Sequence, residues 1–237
     1  MNAAAFGGHT EIIKRLIAAG AKLSYVDSSG ASAVSQAARG GQVETLKFLI
    51  ESGADISIGL IGLASHTEDL KDERRTEIFR LLLAAGAAVD AKDSFGGRAL
   101  QYACGHGRIE LTKQLIAAGA DVNAQDRFGN NALGNAAIKG NAEIAKILIA
   151  AGANVNASNE DRVTVLMLAS GNGHLEVVKL LLTAHADAKI KSKHGNTALK
   201  MAVNPHPMAS LNAEWEQYKA RNRADIVALL KASGATE

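Results

Sequence analysis

The chain has 237 residues, of which 47% are hydrophobic but only 4% aromatic, and its formal net charge is +2. That charge is far from the strongly basic balance of dedicated nucleic-acid or membrane-surface binders. The single cysteine excludes an internal disulfide, and no apolar run reaches the length needed to span a membrane. The first five residues lack the basic region of a signal peptide. We therefore expect a soluble chain without membrane insertion, cytoplasmic by default.

The dominant feature is an internal period of 33 residues, best seen in residues 120–152. A leucine recurs at one place in every unit, and a Gly-Ala pair closes most units. A period of this length is typical of stacked helical repeats, in which no unit buries its apolar face alone. The leucines are Leu16, Leu49, Leu82, Leu115, Leu148 and Leu181, and the closing glycines are Gly20, Gly53, Gly86, Gly119 and Gly152, with His185 in the next place.

Within this unit the pattern predicts two helices and a turn. Asn131 is placed to cap an inner helix over 132–139. Gly140 ends that helix, because the turn that follows favours a left-handed residue. An apolar stripe at i, i+3, i+4 spacing from Ile144 predicts an outer helix. The Asp-x-x-Gly turn at Asp126 predicts an extended finger between successive units.

The residues of this unit also match a family pattern. The ankyrin pattern is D-x-x-G-x-T-P-L-H-x-A-A-x-x-G, with a G-A pair at the end of the unit. The residues that match it, in order, are Asp126, Gly129, Asn131-Ala132-Leu133, Ala136-Ala137, Gly140 and Gly152-Ala153. The chain therefore resembles an ankyrin-repeat protein over nearly all of its length, and its Ala-rich units are similar to those of bacterial ankyrin proteins. The resemblance implies an all-α solenoid of helix–turn–helix units with short β-hairpin-like fingers. It also implies a single ankyrin-repeat domain over residues 1–237.

The repeats are expected at about 1–20 (partial), 21–53, 54–86 (irregular), 87–119, 120–152, 153–185 and 186–237, the last with an insertion at 203–222. The first repeat begins in mid-unit, since Met1 aligns with Leu133. Either a longer parent was trimmed or a stub serves as the N-terminal cap. We favour trimming, because terminal repeats normally need a polar outer face. A removed segment would leave a secreted or periplasmic location open.

The third repeat breaks the pattern twice. Its Asp-x-x-Gly signal is absent, and the pair Leu63-Ala64 comes about six residues early relative to the period. About six extra residues then precede Glu77, so that the period is restored. We interpret this as a finger cut short and a longer connection between the two helices. The charged run over 68–75 mixes both signs, which predicts a solvated helical extension, with contact to a partner as the alternative.

Two later repeats depart from the pattern at single residues. Arg98 stands where a capping side chain is expected, so the fourth inner helix is predicted to lack a side-chain cap. Arg162 replaces the glycine of the sixth finger.

The seventh repeat has an insertion that contains the only tryptophan. Pro205 and Pro207 are expected to stop its inner helix. Beyond them, Leu211, Trp215 and Tyr218 share one face of a predicted helix that runs on into the last outer helix. We expect this stripe to fold back as a C-terminal cap, and the alternative is an exposed Trp215 that docks a partner.

Signatures of catalysis are absent from the sequence, which has no phosphate loop, Gly-x-Ser-x-Gly elbow or His-Glu-x-x-His motif. Cys104 occupies a column of small interior residues, and a thiolate pair with His106 would lack a third residue to orient the base. The seven histidines do not combine with Cys or carboxylates at ligand spacing. We expect no catalytic residue, no metal site, no cofactor and no small-molecule substrate.

Phe95 and Phe128 occupy the same finger-tip place, one period apart. An exposed aromatic residue at such a place is typical of interface anchors, and the alternative is that each ring lies against the next finger. The resemblance implies a concave face formed by finger tips and inner helices. The partner-binding candidates are Phe95, Phe128, Arg127, Asn130, Ile138, Lys139, His106, Asp161, Asn172, Lys193, His194 and Trp215.

The resemblance implies a non-enzymatic role, the recognition of a protein partner through the concave face by a chain expected to be monomeric. That inference is by fold analogy. One alternative is the targeting region of a larger multi-domain enzyme, or of a secreted bacterial effector. A remote alternative is nucleic-acid binding, suggested only by basic residues near the C-terminus, which are Lys189, Lys191, Lys193, Lys200, Lys219, Arg221 and Arg223.

Overall fold

The computed structural model describes residues 1–65, 70–204 and 213–235, and the side chains of 213–221 lie outside that description. Within these ranges the chain forms fourteen helices, and its strand-like pairing is limited to isolated bridges at the fingers. The fold class is an all-α repeat solenoid, as predicted. Contacts between Cα atoms divide the chain into two compact units, Met1–Asp121 and Val122–Glu237. The single domain over 1–237 remains a prediction.

The first unit contains eight helices among its described residues. Their bounds are α1 Asn2–Phe6, α2 Thr10–Ala18, α3 Ala33–Arg39, α4 Val43–Glu51, α5 Gly59–Ala64, α6 Asp72–Ala84, α7 Ala99–Gly105 and α8 Ile109–Ala117. The inner helices α1, α3, α5 and α7 pack on one another in that order, and so do the outer helices α2, α4, α6 and α8. Each repeat therefore contributes one helix to each of two layers.

The second unit continues the same alternation. Its described helices are α9 Ala132–Lys139, α10 Ala142–Ala150, α11 Val165–Gly171, α12 Leu175–Thr183, α13 Ala198–Val203 and α14 Ala213–Ala232. The inner helices α9, α11 and α13 pack in sequence, as do the outer helices α10, α12 and α14.

The ends of the inner helices are set by the residues that the sequence indicated. Asn131 Oδ1 accepts a hydrogen bond from the amide of Gly134 at 2.7 Å, which caps α9 at its predicted start. Gly140 ends the same helix with a φ of 71°, in the left-handed region. In the second repeat, Ser32 and Ser35 form a reciprocal capping box at the start of α3. For α9, the predicted polar start and glycine end are confirmed.

Two residues other than glycine adopt the left-handed backbone conformation. Arg162, at the sixth finger turn, has a φ of 59°, and His185, at the close of the sixth repeat, has a φ of 64°. Such a residue costs about 1–2 kcal/mol relative to an ordinary conformation. The stacking of the repeats therefore imposes these turns even where the sequence has lost the glycine.

The inner helices approach so closely that some positions have no room for a side chain. A Cβ atom added to Gly40 would lie 2.2 Å from the carbonyl oxygen of Phe6, and one added to Gly62 would lie 2.2 Å from that of Ser35. Both distances are far inside van der Waals contact. Backbone therefore packs directly against backbone between α1 and α3, and again between α3 and α5.

The third repeat has the shortened finger and the long outer helix that the sequence predicted. Helix α5 begins at Gly59, and α6 is 13 residues long because it starts already at Asp72. The interpretation of the charged run as fully solvated is wrong for Arg75, which is only 3% exposed and bonds Asp72 at 2.7 Å. Arg75 lies one period after Gln42, whose side chain reaches back to the previous repeat, and that place faces inward.

The seventh repeat ends in one long helix. Helix α14 is 20 residues long and packs on α12 and α13, so the outer helix extends toward the N-terminus as predicted. Helix α13 ends at Val203. Pro205 and Pro207, and the side chain of Trp215, lie outside the described residues, so the C-terminal cap remains a prediction.

The recurring leucine is the centre of each repeat's core. Leu49, Leu82, Leu115, Leu148 and Leu181 are fully buried, whereas Leu16 in the partial first repeat is only half-buried. We expect Leu148→Ala to lower the free energy of unfolding by about 2–5 kcal/mol, because it leaves a cavity between packed helices. Leu16→Ala should cost clearly less in the same denaturant titration. Equal losses would contradict packing between neighbouring repeats as the source of stability.

Candidate functional site

In the fourth and fifth repeats the finger tip is held by an aspartate at the start of the turn. In the fifth repeat, Asp126 Oδ1 accepts hydrogen bonds from the amides of Phe128 at 2.8 Å and Asn130 at 2.9 Å. In the fourth repeat, Asp93 Oδ1 accepts from the amides of Phe95 at 2.8 Å and Gly97 at 2.9 Å. This side-chain-to-backbone turn fixes the local backbone. Each finger-tip phenylalanine therefore projects from a fixed support.

The second finger also begins with an aspartate, Asp27, whose carboxylate is stabilised by hydrogen bonds. A hydrogen bond from the Ser29 hydroxyl, followed by one from the Asn2 amide, lowers the pKa of Asp27 to about 2. Asn2 lies in α1, and its Nδ2 is 2.9 Å from Asp27 Oδ2. The partial first repeat is thus tied to the second finger. Because the folded pKa lies below the ordinary value, this contribution to stability is present above about pH 4 and is lost as the pH falls through about 2.

In the second unit, neighbouring fingers are joined by backbone hydrogen bonds at their tips. The amide of Glu160 donates to the carbonyl of Phe128 at 3.0 Å, and the amide of Lys193 donates to that of Asp161 at 2.9 Å. At the finger base, the amide of Asn154 donates to Asn123 Oδ1 at 2.7 Å. These hydrogen bonds link the fifth, sixth and seventh fingers into one continuous row.

The groove between two such fingers is closed. It is lined by Gly129, Asn130, Gly134, Asn135 and Ile138 of the fifth repeat and by residues of the sixth, including Ala157, Asn159 and Leu168. Its cavity is only about 10 Å³, which is at the lower limit for a single water molecule. We call this the closed groove, and the sixth finger fills it.

The equivalent groove in the first unit is open. It is lined by Ser29, Gly30, Ala31, Ser35, Gln36 and Arg39 of the second repeat, by Ile58, Ile61, Gly62 and Ser65 of the third, and by Asp93 and Tyr102 of the fourth. Its cavity is about 170 Å³. A second cavity of about 200 Å³ shares Gly30, Ile58 and Asp93 with it. We call the first of these the open groove, and it lies where the third finger is shortened.

Two of the predicted partner-binding residues lie in the first unit. The Phe95 side chain is 56% exposed at the fourth finger tip. His106 is exposed just after α7, but its Nδ1 lies 2.8 Å from the carbonyl of Tyr102. The His106 ring is therefore fixed against its own helix, and Phe95 is the freer of the two to meet a partner.

The apolar candidates of the second unit are exposed in the same neighbourhood. Phe128 is 55% exposed beside Gly129, which lines the closed groove, and Ile138 is 40% exposed and lines it directly. Arg127, which precedes Phe128, and Lys139, which follows Ile138, are exposed as well. Of these four residues, Ile138 lines the closed groove, and the others are sequence neighbours of residues at the groove or of Ile138 itself.

The polar candidates of this unit are more engaged within the protein. Asn130 donates from Nδ2 to Asp126 at 3.0 Å, and Asn172 donates from Nδ2 to the carbonyl of Leu168 at 2.8 Å. The exposed candidates Asp161, Lys193 and His194 belong to the sixth and seventh finger tips. The side chain of Trp215 lies outside the described residues.

The cysteine is not available for chemistry in the folded chain. Cys104 is fully buried, and its nearest polar neighbour is Thr112 Oγ1 at 3.8 Å. Burial raises the pKa of its thiol to about 12. In the described part of the chain, no three His, Cys, Asp or Glu side chains lie together where they could hold a metal. None of the described helices combines the length and apolarity needed to cross a membrane.

Sequence reasoning missed two residues of the open groove. Neither Arg39 nor Tyr102 was among the partner-binding candidates. The Tyr102 hydroxyl donates to Asp93 Oδ2 at 2.5 Å and so braces the fourth finger. The absent Asp-x-x-Gly signal in the third repeat was the clue that a groove would open beside these residues.

Paired helices that repeat with capped inner ends and hairpin-like fingers define a class of helix–turn–helix repeat proteins. Family models place the chain within it. A model described as ankyrin repeats (3 copies) matches residues 1–59 and 70–159, and another described as ankyrin repeats (many copies) matches residues 148–202. The chain belongs to the ankyrin-repeat family. No curated protein matches it. The interruption between 59 and 70 falls in the third repeat, where the finger is shortened.

Ankyrin repeats generally act as modules for protein–protein interaction. The family therefore accounts for exposed apolar side chains at finger tips without requiring catalysis.

We expect Cys104 to be unreactive toward a disulfide reagent such as DTNB in native buffer and to react fully in denaturant. The thiolate is the attacking species, and burial both hides the sulfur and raises its pKa. Labelling followed by absorbance in mildly alkaline buffer provides the measurement. The control is Ser57→Cys in a Cys104→Ser background, which places a thiol at an exposed position. Labelling of native Cys104 as fast as this control would contradict its burial.

Proposed function

We propose that the chain binds a protein partner through the surface formed by its finger tips and the exposed ends of its inner helices. We name this surface of each unit the finger face. The proposed contact residues are those of both units, led by Phe95 in the first and by Phe128 and Ile138 in the second. We propose that the role is recognition, without catalysis.

The observation that favours this proposal is the exposure of large apolar side chains on fixed supports. Phe95 and Phe128 are each more than half exposed, although Phe is among the residues most often buried. Each follows an aspartate that bonds its backbone amide. Aromatic side chains held in this way lose little conformational freedom when a partner covers them, and aromatic residues are enriched among interface hot spots.

The surroundings of Phe128 are suited to a mixed contact. Ile138 adds apolar area, and Arg127 and Lys139 add positive charge at the rim. An interface core that is apolar and a rim that is polar is the usual anatomy of a protein–protein contact. The closed groove beside them holds no space for a small molecule, which favours a surface contact in this unit.

The partner is to be identified by pull-down with the full chain from lysate of the source organism, followed by mass spectrometry. The affinity of the purified partner is then measured by titration calorimetry. This gives the reference value for the variants.

We expect the double variant Phe95→Ala, Phe128→Ala to weaken partner binding by more than about 2 kcal/mol, as loss of interface anchors does. Its thermal melt should stay nearly unchanged, because both rings are more than half exposed. The matched control is Ile12→Ala, which removes an equally exposed apolar side chain from the outer helix α2 and should leave affinity intact. A large loss of stability with unaltered affinity would show that the two rings pack within the protein.

A further inference from the structure

The open groove and the closed groove occupy equivalent places three periods apart. Gly30, Ser35, Gln36 and Arg39 line the first, and Gly129, Gly134, Asn135 and Ile138 line the second. The two grooves differ in what stands opposite. The sixth finger fills the closed groove, whereas helix α5 begins too early to supply a finger to the open one. The cavity volumes are about 10 Å³ and about 170 Å³.

Arg39 is the one cation that lines the open groove among the described residues. Its guanidinium carbon lies 5.9 Å from the centre of the Phe6 ring, a distance at which a cation is attracted to the ring face. Its Nε–H is buried and has no hydrogen-bond acceptor in the described part of the chain. A buried donor without an acceptor is destabilising, and the loss is recovered when an acceptor arrives.

The open groove has a single carboxylate among its described lining residues, and that carboxylate is already engaged. Asp93 accepts hydrogen bonds from the amides of Phe95 and Gly97 and from the Tyr102 hydroxyl. These bonds belong to the fourth finger and its brace. Asp93 therefore leaves Arg39 without an anionic partner inside the groove.

The finger tips limit what can enter the groove. A Cβ atom on Gly30 would lie 3.6 Å from Ser94 Oγ, so the second and fourth fingers nearly touch at this point. A strand inserted between them would need about 4.7–4.9 Å to each neighbour. The groove beneath can accept a side chain but not a further strand.

We propose that the open groove receives an acidic side chain, glutamate or aspartate, from an extended segment of the protein partner. The carboxylate accepts hydrogen bonds from the Arg39 guanidinium, a pairing that is stronger than one between neutral groups. The methylene groups of the incoming side chain lie against Ile58 and Ile61, which line the same groove. The inference rests on the proposed function and adds the chemistry of one subsite to it.

The Ser29 carbonyl provides a second contact for the incoming segment. It stands in the finger-tip column whose carbonyls, Phe128 and Asp161, accept an amide of the next finger in the second unit. Within the described residues no backbone amide reaches Ser29. The partner segment runs over the finger tips rather than between them, and one of its backbone N–H groups donates to this carbonyl.

The test uses the full chain, ¹⁵N-labelled, and two small probes that differ in charge, N-acetyl-glutamate methylamide and N-acetyl-glutamine methylamide. We expect the glutamate probe to shift the Arg39 Nε–H signal and the amide signals of Gln36 and Ile61 in a saturable way. The glutamine probe should bind at least about tenfold more weakly, because it lacks the charge-assisted bond. Equal binding of both probes, or no saturable shift with either, would overturn the inference.

Two variants distinguish the contribution of the cavity to probe binding from that of the arginine charge. Arg39→Gln should weaken binding of the glutamate probe by about tenfold or more. Adding Ile138→Arg to that variant places an arginine at the equivalent place beside the closed groove, where there is no cavity, and it should not restore binding. Restored binding would show that any surface arginine suffices.

Both variants are first checked for an unchanged circular dichroism spectrum, and the comparison of the two probes on the native chain requires no variant. If neither probe gave a saturable shift at the open groove while the Phe95→Ala, Phe128→Ala variant lost partner affinity, this inference would be refuted. The proposed function would remain intact.

Discussion

The structure depends on direct packing between the inner helices of neighbouring repeats. Each inner helix is eight residues or shorter, a length that is unstable in isolation. Its stability must come from burial against the next repeat, and that burial is possible only because small residues let the backbones meet. Gly40 against Phe6 and Gly62 against Ser35 are the closest approaches. The caps at Ser32 and Asn131 then satisfy the first amides of helices that packing has already placed.

The third repeat shows which parts of the unit this packing requires. Its finger is shortened and its outer helix is lengthened, yet α5 still packs between α3 and α7. The packing of helices therefore tolerates a shortened finger. The surface formed by the finger tips changes, because a cavity opens beside the shortened finger. Where the finger is present the groove is closed, and where it is absent a cavity opens beside Arg39. The irregular third repeat is thus accompanied by a cavity that the regular groove between the fifth and sixth repeats does not have.

Most of the fold could be predicted from the sequence, because the period assigns each residue a place that other copies also define. The cap at Asn131, the turn at Gly140 and the buried column around Leu148 were all readable in this way. Arg75 was not, because the mixed charges of its segment favour a solvated helix, whereas its side chain is buried. The open groove was not predicted either. A missing finger is visible in the sequence, but the space it leaves depends on how closely α5 approaches α3.

The most direct test of this account compares two glycine-to-alanine changes in inner helices, read as free energies of unfolding. Alanine favours a helix over glycine by about 1 kcal/mol. At Gly134 the added Cβ would make ordinary contacts, the nearest at 3.4 Å, so Gly134→Ala should leave stability unchanged or raise it. At Gly62 the added Cβ would lie 2.2 Å from the Ser35 carbonyl, so Gly62→Ala should cost about 1–3 kcal/mol despite its better helix propensity. If Gly62→Ala were as stable as Gly134→Ala, close packing of the inner helices would not be what holds the repeats together.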